Sequence, residues 1–213
     1  MKKYISLSAI LLFVVPIVTL FICHQIILHH YNFYTIPFID GKASISMVGR
    51  GEKTIGIFRL GFFLYICISI FFYFKISSFF FLEGIKNRFR IYGLLANFFL
   101  CIYIFALGKD GSSYEIYRRL AIIFYIATMY LMHIYLIKKL KFLKFNRSFN
   151  FNNIYLIIFY IIIALMTILI IIGLPWVDPL FKYPNELKNI IEWNFFLLTV
   201  VFYIPLSLIF YKL

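Results

Sequence analysis

Apolar residues do not alternate with polar ones along this chain. They gather in long runs separated by short charged or turn-forming stretches. A bilayer core of about 30 Å needs roughly 20 apolar residues in a helix rising about 1.5 Å each. Six runs meet that requirement: 5–28, 55–75, 91–108, 117–137, 154–174 and 190–211. The third is the shortest. The second is followed by a further apolar run, Ile76 to Leu82, which either extends the helix or lies in the interface. Strand periodicity is absent, which excludes an outer-membrane barrel. Backbone groups in lipid must be satisfied within each segment, so helices are expected throughout. The first run follows Met1-Lys2-Lys3 as a secretory signal would, but no small-x-small cleavage site comes after it, and an uncleaved first helix is expected. The chain reads as one domain, 1–213, an all-α polytopic bundle of six transmembrane helices.

Composition strengthens that reading. Of 213 residues 64% are hydrophobic and 14% charged, against about 45–50% and about 25% in ordinary globular domains. A soluble enzyme or a free nucleic-acid-binding domain is therefore excluded. The net charge of +13 instead serves orientation, through the excess of Lys and Arg in cytoplasmic loops. With the N-terminus inside, the inner segments carry twelve basic residues and one acid, Glu83, and the outer segments nine basics and seven acids. The loop Lys138–Arg147, with five basics and no acid, weighs most, and it suits the anionic inner leaflet better than RNA. N- and C-termini are thus expected to be cytoplasmic. Frequent Phe, Ile, Lys and Asn suggest an AT-rich genome and a bacterial inner membrane. The sizeable loops, 29–54 and 175–189, then face outward. No internal repeat is present, which weighs against a transporter of two inverted halves.

Polar chemistry at membrane depth is sparse: Arg59, Asn97, His133 and Glu192. No lysine lies deep in a span, excluding a retinal Schiff base, and no series of buried carboxylates suggests a proton pump. The first outer loop is richer, with Asp40, Lys42, Ser44, Ser46 and Arg50 in eleven residues. Asp-Gly followed by Ser-x-Ser is ordinary turn chemistry. The same residues would also hold a lipid headgroup, with Arg50 and Arg59 on phosphate and Asp40 on sugar or amine groups. Arg59 has the alternative of snorkelling to the interface. Glu192-Trp193 fits a first-turn acid and an interfacial aromatic. Alternatively, Glu192 joins Asp40 in a two-carboxylate outer site. His24, His29 and His30 do not share a helix face and form no zinc site, and His133 is expected to bond a neighbouring helix. The three cysteines lie one per apolar run. No hydrolase elbow, zincin helix, phosphate loop or dinucleotide fingerprint occurs, so no cofactor, metal or nucleic-acid partner is expected.

Pro37-Phe38-Ile39-Asp40-Gly41 with Ser44-Ile45-Ser46, the Phe58-Arg59 entry to the second span, and Glu192-Trp193 opening the sixth resemble the FRAG/DRAM/Sfk superfamily. That superfamily includes damage-regulated autophagy modulators and a Golgi GPI-lipid remodelling factor. The resemblance implies six spans over the whole chain. Two positions depart from it: Ile39 stands where the family has Ser, and Tyr117-Arg118 where it has His near the start of the fourth helix.

The expected function is therefore non-enzymatic. An outer site of Asp40, Ser44, Ser46, Arg50, Arg59, Glu192 and Trp193 would bind membrane lipids or another membrane protein. Alternatives are a lipid-remodelling enzyme using Asp40, Ser44, Ser46 and Glu192, or an immunity-type protein against a pore-forming toxin. Loop 37–52 is expected to fold over the outer mouth of the bundle. Asp40 or Ser44 would then lie near Glu192, and Arg59 would pair with Glu192 or a bound phosphate, because unpaired charges at that depth are costly.

Overall fold

The computed structural model describes residues 1–31, 34–146, 149, 151–173 and 185–212. Within them the chain forms α1 (Lys2–Tyr31), α2 (Ile45–Arg50), α3 (Ile55–Leu82), α4 (Phe89–Ala106), α5 (Ser112–Asn146), α6 (Asn153–Gly173), α7 (Asn185–Val201) and α8 (Tyr203–Lys212). Among the described residues there is no strand. Six helical stretches are long and apolar enough to cross a membrane, α7 and α8 together making the sixth. The protein is an all-α, six-span bundle, and both ends of the described chain lie at the same end of it, hereafter the terminal end; the opposite end is the loop end.

Several boundaries move outward from the apolar runs, because a helix continues through polar residues once it leaves the hydrocarbon. α5 has 35 residues, about 52 Å at 1.5 Å per residue, and carries charged turns at both ends. The run Ile76–Leu82 extends α3 as helix. The expected 190–211 span starts earlier, at Asn185, and is interrupted at Phe202. Pro205 explains the interruption: it has no N–H to donate to the Val201 carbonyl one turn back. The 175–189 loop lies outside the described residues up to 184.

Each span packs on its neighbours in sequence, and α8 closes the ring against α1. Lipid is as apolar as the side chains, so close packing and interhelical hydrogen bonds hold such a bundle rather than burial from water. Polar links tie several of the seams. Ser6 and Ser207 hydroxyls meet at 3.1 Å between α1 and α8. Asn97 on α4 donates to Ser69 Oγ on α3 at 3.0 Å, and Tyr130 on α5 meets Thr167 on α6 at 2.6 Å. Aromatic rings fill the interior, including Phe72 against Tyr203 and Phe159 against Phe202.

At the terminal end α3 stops in a Schellman arrangement. The Ile85 N–H reaches the Phe80 carbonyl and the Gly84 N–H the Phe81 carbonyl. Gly84 takes φ +70°, which only glycine adopts without strain. The chain turns at once into the segment Ile85–Arg88 that leads into α4.

Candidate functional site

The loop-end site grows from a turn. The Asp40 carboxylate accepts from the Thr35 hydroxyl at 2.6 Å, the Ile36 N–H at 2.8 Å and the Lys42 N–H at 3.1 Å. Its slight burial works to raise the carboxyl's pKa. The three hydrogen bonds and the Lys42 charge outweigh that and hold it below the usual carboxylate range. Ser44 is the N-cap of α2, accepting from the Met47 N–H at 3.1 Å, and its hydroxyl meets that of Ser46 at 2.9 Å. Asp40 and Ser44 thus shape the loop itself.

The shaped loop lies on the first turns of α7. Asn189 Nδ2 donates to the Gly41 carbonyl at 2.7 Å, Trp193 Nε1 to the Ala43 carbonyl at 2.8 Å, and Asn194 Nδ2 to the Phe38 carbonyl at 3.2 Å. The Phe38 ring meets Trp193 edge-on at 5.3 Å. Ala43 is fully buried and Trp193 nearly so. Trp193 is therefore a clamp on the loop rather than an interfacial belt residue. Gly41 makes the approach possible: it has φ +61°, and a Cβ there would stand 1.9 Å from the Glu186 backbone oxygen. Asn189 and Asn194, unrecognised in sequence, share this role. Their signal was Asn189 four residues before Trp193, which places both on one helix face.

The charges do not pair as expected. Arg59 donates to the Leu107 carbonyl at 2.7 Å, while its Nε is buried without a partner among the described residues. Arg118 donates to the carbonyls of Lys109 and Ala106 at 2.8 and 3.3 Å. Both arginines serve the carbonyl end of α4, where the helix dipole favours cations. Arg59 therefore neither pairs with Glu192 nor snorkels freely. Asp40, held inside its own turn, does not join Glu192 in a carboxylate pair. The Glu192 carboxylate instead faces the backbone N–H of Ile45, at the start of α2. Arg50 is exposed on the rim.

Glu192 also lines a slot of about 60 Å³ that runs into the bundle between α3, α4, α5 and α7. Its other walls are Ile45, Phe58, Phe62, Leu100, Tyr103 and further apolar or aromatic residues. Glu192, Arg118 and Arg50 all lie within electrostatic range of Tyr103. The slot's tyrosines open onto an internal set of hydroxyls: Tyr65 with Tyr125 at 3.3 Å, and below them Tyr73 with Tyr203 at 2.7 Å. His133 lies beyond. Contrary to expectation it bonds no neighbouring helix among the described residues: both ring nitrogens are buried without a partner there, and the ring stacks on Phe202 at 3.9 Å.

His24 bonds the Thr35 carbonyl and His30 contacts Lys53. Among the described residues no group of three or more His, Cys, Asp or Glu converges as a metal site. No family model, curated protein or solved structure matches the chain.

Proposed function

We propose that this integral membrane protein binds the headgroup end of an amine-bearing phospholipid at the loop-covered mouth, without chemistry upon it. The observation that carries the reading is Glu192, a carboxylate in a slot whose other walls are apolar and aromatic apart from Thr199, and in none of the ion pairs among the described residues. A carboxylate at membrane depth is costly unless it meets a cation or donors, and one backbone N–H is a modest partner for it. A primary ammonium supplies both charge and N–H. Arg50, exposed at the rim, would take the phosphate. At about 60 Å³ the slot is far below the roughly 300–1,000 Å³ of small-molecule sites, so it admits one slender portion of a lipid, with the rest lying in the bilayer.

An enzymatic role draws less support. Asp40 and Ser44 are engaged in the turn and the cap, and neither serine has a base within hydrogen-bond reach among the described residues. The resemblance to FRAG/DRAM/Sfk proteins fits this reading, since the loop and the Glu-Trp pair that carry it are the segments that meet here.

Native mass spectrometry of detergent-extracted protein, titrated with phosphatidylethanolamine or phosphatidylcholine, tests the proposal. The two headgroups share a charge, but the quaternary ammonium has no N–H. The wild type should retain phosphatidylethanolamine about tenfold better, the worth of a charge-assisted hydrogen bond, and E192Q should lose that preference. Equal retention by the wild type, or a preference surviving in E192Q, would refute it.

A further inference from the structure

The terminal end of the bundle holds a second and larger recess, unrelated to the loop-end slot. It is a half-open hollow of about 650 Å³, lined by Lys86, Arg88 and Arg90, with Asn87 between them and Phe81 and Ile91 at the side. No acidic residue lines it. The fold builds this recess with care. After the Gly84 turn, the Asn87 amide donates to the Ser77 and Ile85 carbonyls at 3.0 and 3.3 Å, and its carbonyl oxygen accepts from the Ser77 hydroxyl at 2.7 Å. The segment is thereby locked against the last turns of α3. The same Asn87 oxygen receives the Phe89 N–H at 3.4 Å, so α4 starts at the recess with its positive dipole end. Arg90 is aimed by a 2.9 Å hydrogen bond to Ser78 Oγ and rests on the Phe74 ring.

Lys86 and Arg88 are different. Both are exposed, and neither has a hydrogen bond or ion pair among the described residues. Three cations lining one recess repel one another, and among the described residues none of them forms an ion pair. This arrangement has a cost unless an anion enters. The size lies within the range of small-molecule sites, roughly 300–1,000 Å³. Guanidinium forks and a helix N-terminus are the donors that phosphate oxygens accept from. One wall is apolar and open to lipid: Phe81 and Ile91 are 75% and 63% exposed.

We propose that this recess is a binding site for a phosphate monoester: Lys86, Arg88 and Arg90 hold the phosphate, and Phe81 and Ile91 lie along whatever apolar chain it carries. The shared chemistry has two sources, the headgroup of phosphatidic acid in the adjoining leaflet or a free phosphate compound from the aqueous side. The open apolar wall favours the first.

The test compares two double variants of equal charge loss. K86Q/R88Q empties the recess of its two unpartnered cations while leaving Arg90 and Asn87 to hold the fold. K138Q/K141Q removes two exposed lysines of α5 that do not line the recess. Each protein is purified in a neutral detergent and titrated with phosphatidic acid, phosphatidylcholine or inorganic pyrophosphate, with bound adducts counted by native mass spectrometry and the thermal midpoint followed in parallel. The wild type and K138Q/K141Q should retain one phosphatidic acid per chain, and K86Q/R88Q should bind it about tenfold or more weaker, each cation contributing to anionic-lipid attraction. If pyrophosphate binds instead, with the same loss in K86Q/R88Q, the site stands and its ligand is soluble. Equal weakening in both double variants, or no saturable adduct in the wild type, overturns the proposal, because only diffuse surface charge would then be at work. A midpoint in K86Q/R88Q matching the wild type without ligand separates lost binding from lost folding.

Discussion

Replacing Gly41 by alanine should lift the first loop off α7. The added Cβ would stand 1.9 Å from the Glu186 carbonyl oxygen and 2.6 Å from its carbon. Those are backbone atoms of a helix and cannot rotate aside. The residue also sits at φ +61°, where a side chain costs about 1–2 kcal/mol. Relief of the clash requires the loop to retreat, and the bonds from Asn189 to Gly41 and from Trp193 to Ala43 then lengthen together, at about 0.5–1.5 kcal/mol each. The total is about 2–5 kcal/mol against docking. The chain has two tryptophans, so a Trp176→Phe background leaves Trp193 as the sole indole reporter. Its ring is 3% exposed and its N–H engaged. In G41A its emission should shift to the red, iodide should quench it more strongly, and the thermal midpoint should fall. G56A is the matched control: a Cβ there meets nothing within 4 Å, and alanine in a helix is favoured over glycine by up to about 1 kcal/mol. If Trp193 in G41A keeps the emission and quenching of its parent, the loop is not held by this close approach and the docking account is wrong.

The loop should also respond to acid. The folded state holds the Asp40 carboxyl below its ordinary range, so its contribution is complete above the unfolded value of about 3.9 and is lost as pH falls through the lower folded value. The Asp40-dependent part of the change in Trp193 emission should therefore begin only below about pH 4. That late shift should vanish in D40N, and its persistence there would assign the transition to another group. Orientation is tested by reporter fusions after residue 45 and after residue 145, which should report opposite compartments, the second of them cytoplasmic, in a bacterial host. The same compartment for both would contradict the six-span topology, and an inverted pair the charge-based orientation.

Span number was legible in the sequence because it depends on a local quantity. Each apolar run had to supply its own backbone hydrogen bonds over the bilayer thickness, and the runs sufficed to place six helices. The short third helix and the turn chemistry of Asp40-Gly41 and Ser44 were local in the same sense: the third span has 18 residues, Asp40 closes a turn and Ser44 caps α2. The approach of the loop to Glu192-Trp193 was expected from charge economy; what brings it there is a tryptophan N–H and two asparagines bonding backbone carbonyls some 150 positions away.

Which polar groups meet was left to the tertiary structure. The spans are apolar on nearly every side, so no hydrophobic stripe records how each helix is rotated. Side-chain packing alone sets the rotation, and with it every partner of a buried polar residue. Arg59 accordingly faces the carbonyl end of α4 rather than Glu192, and His133 faces Phe202 rather than a donor. The tyrosine hydroxyls of three different helices converge for the same reason. The basic recess follows this rule too. Lys86, Arg88 and Arg90 are visible in sequence as positive charge beside a span. It took the Gly84 turn, the Asn87 lock and the position of α3 to gather that charge around one cavity.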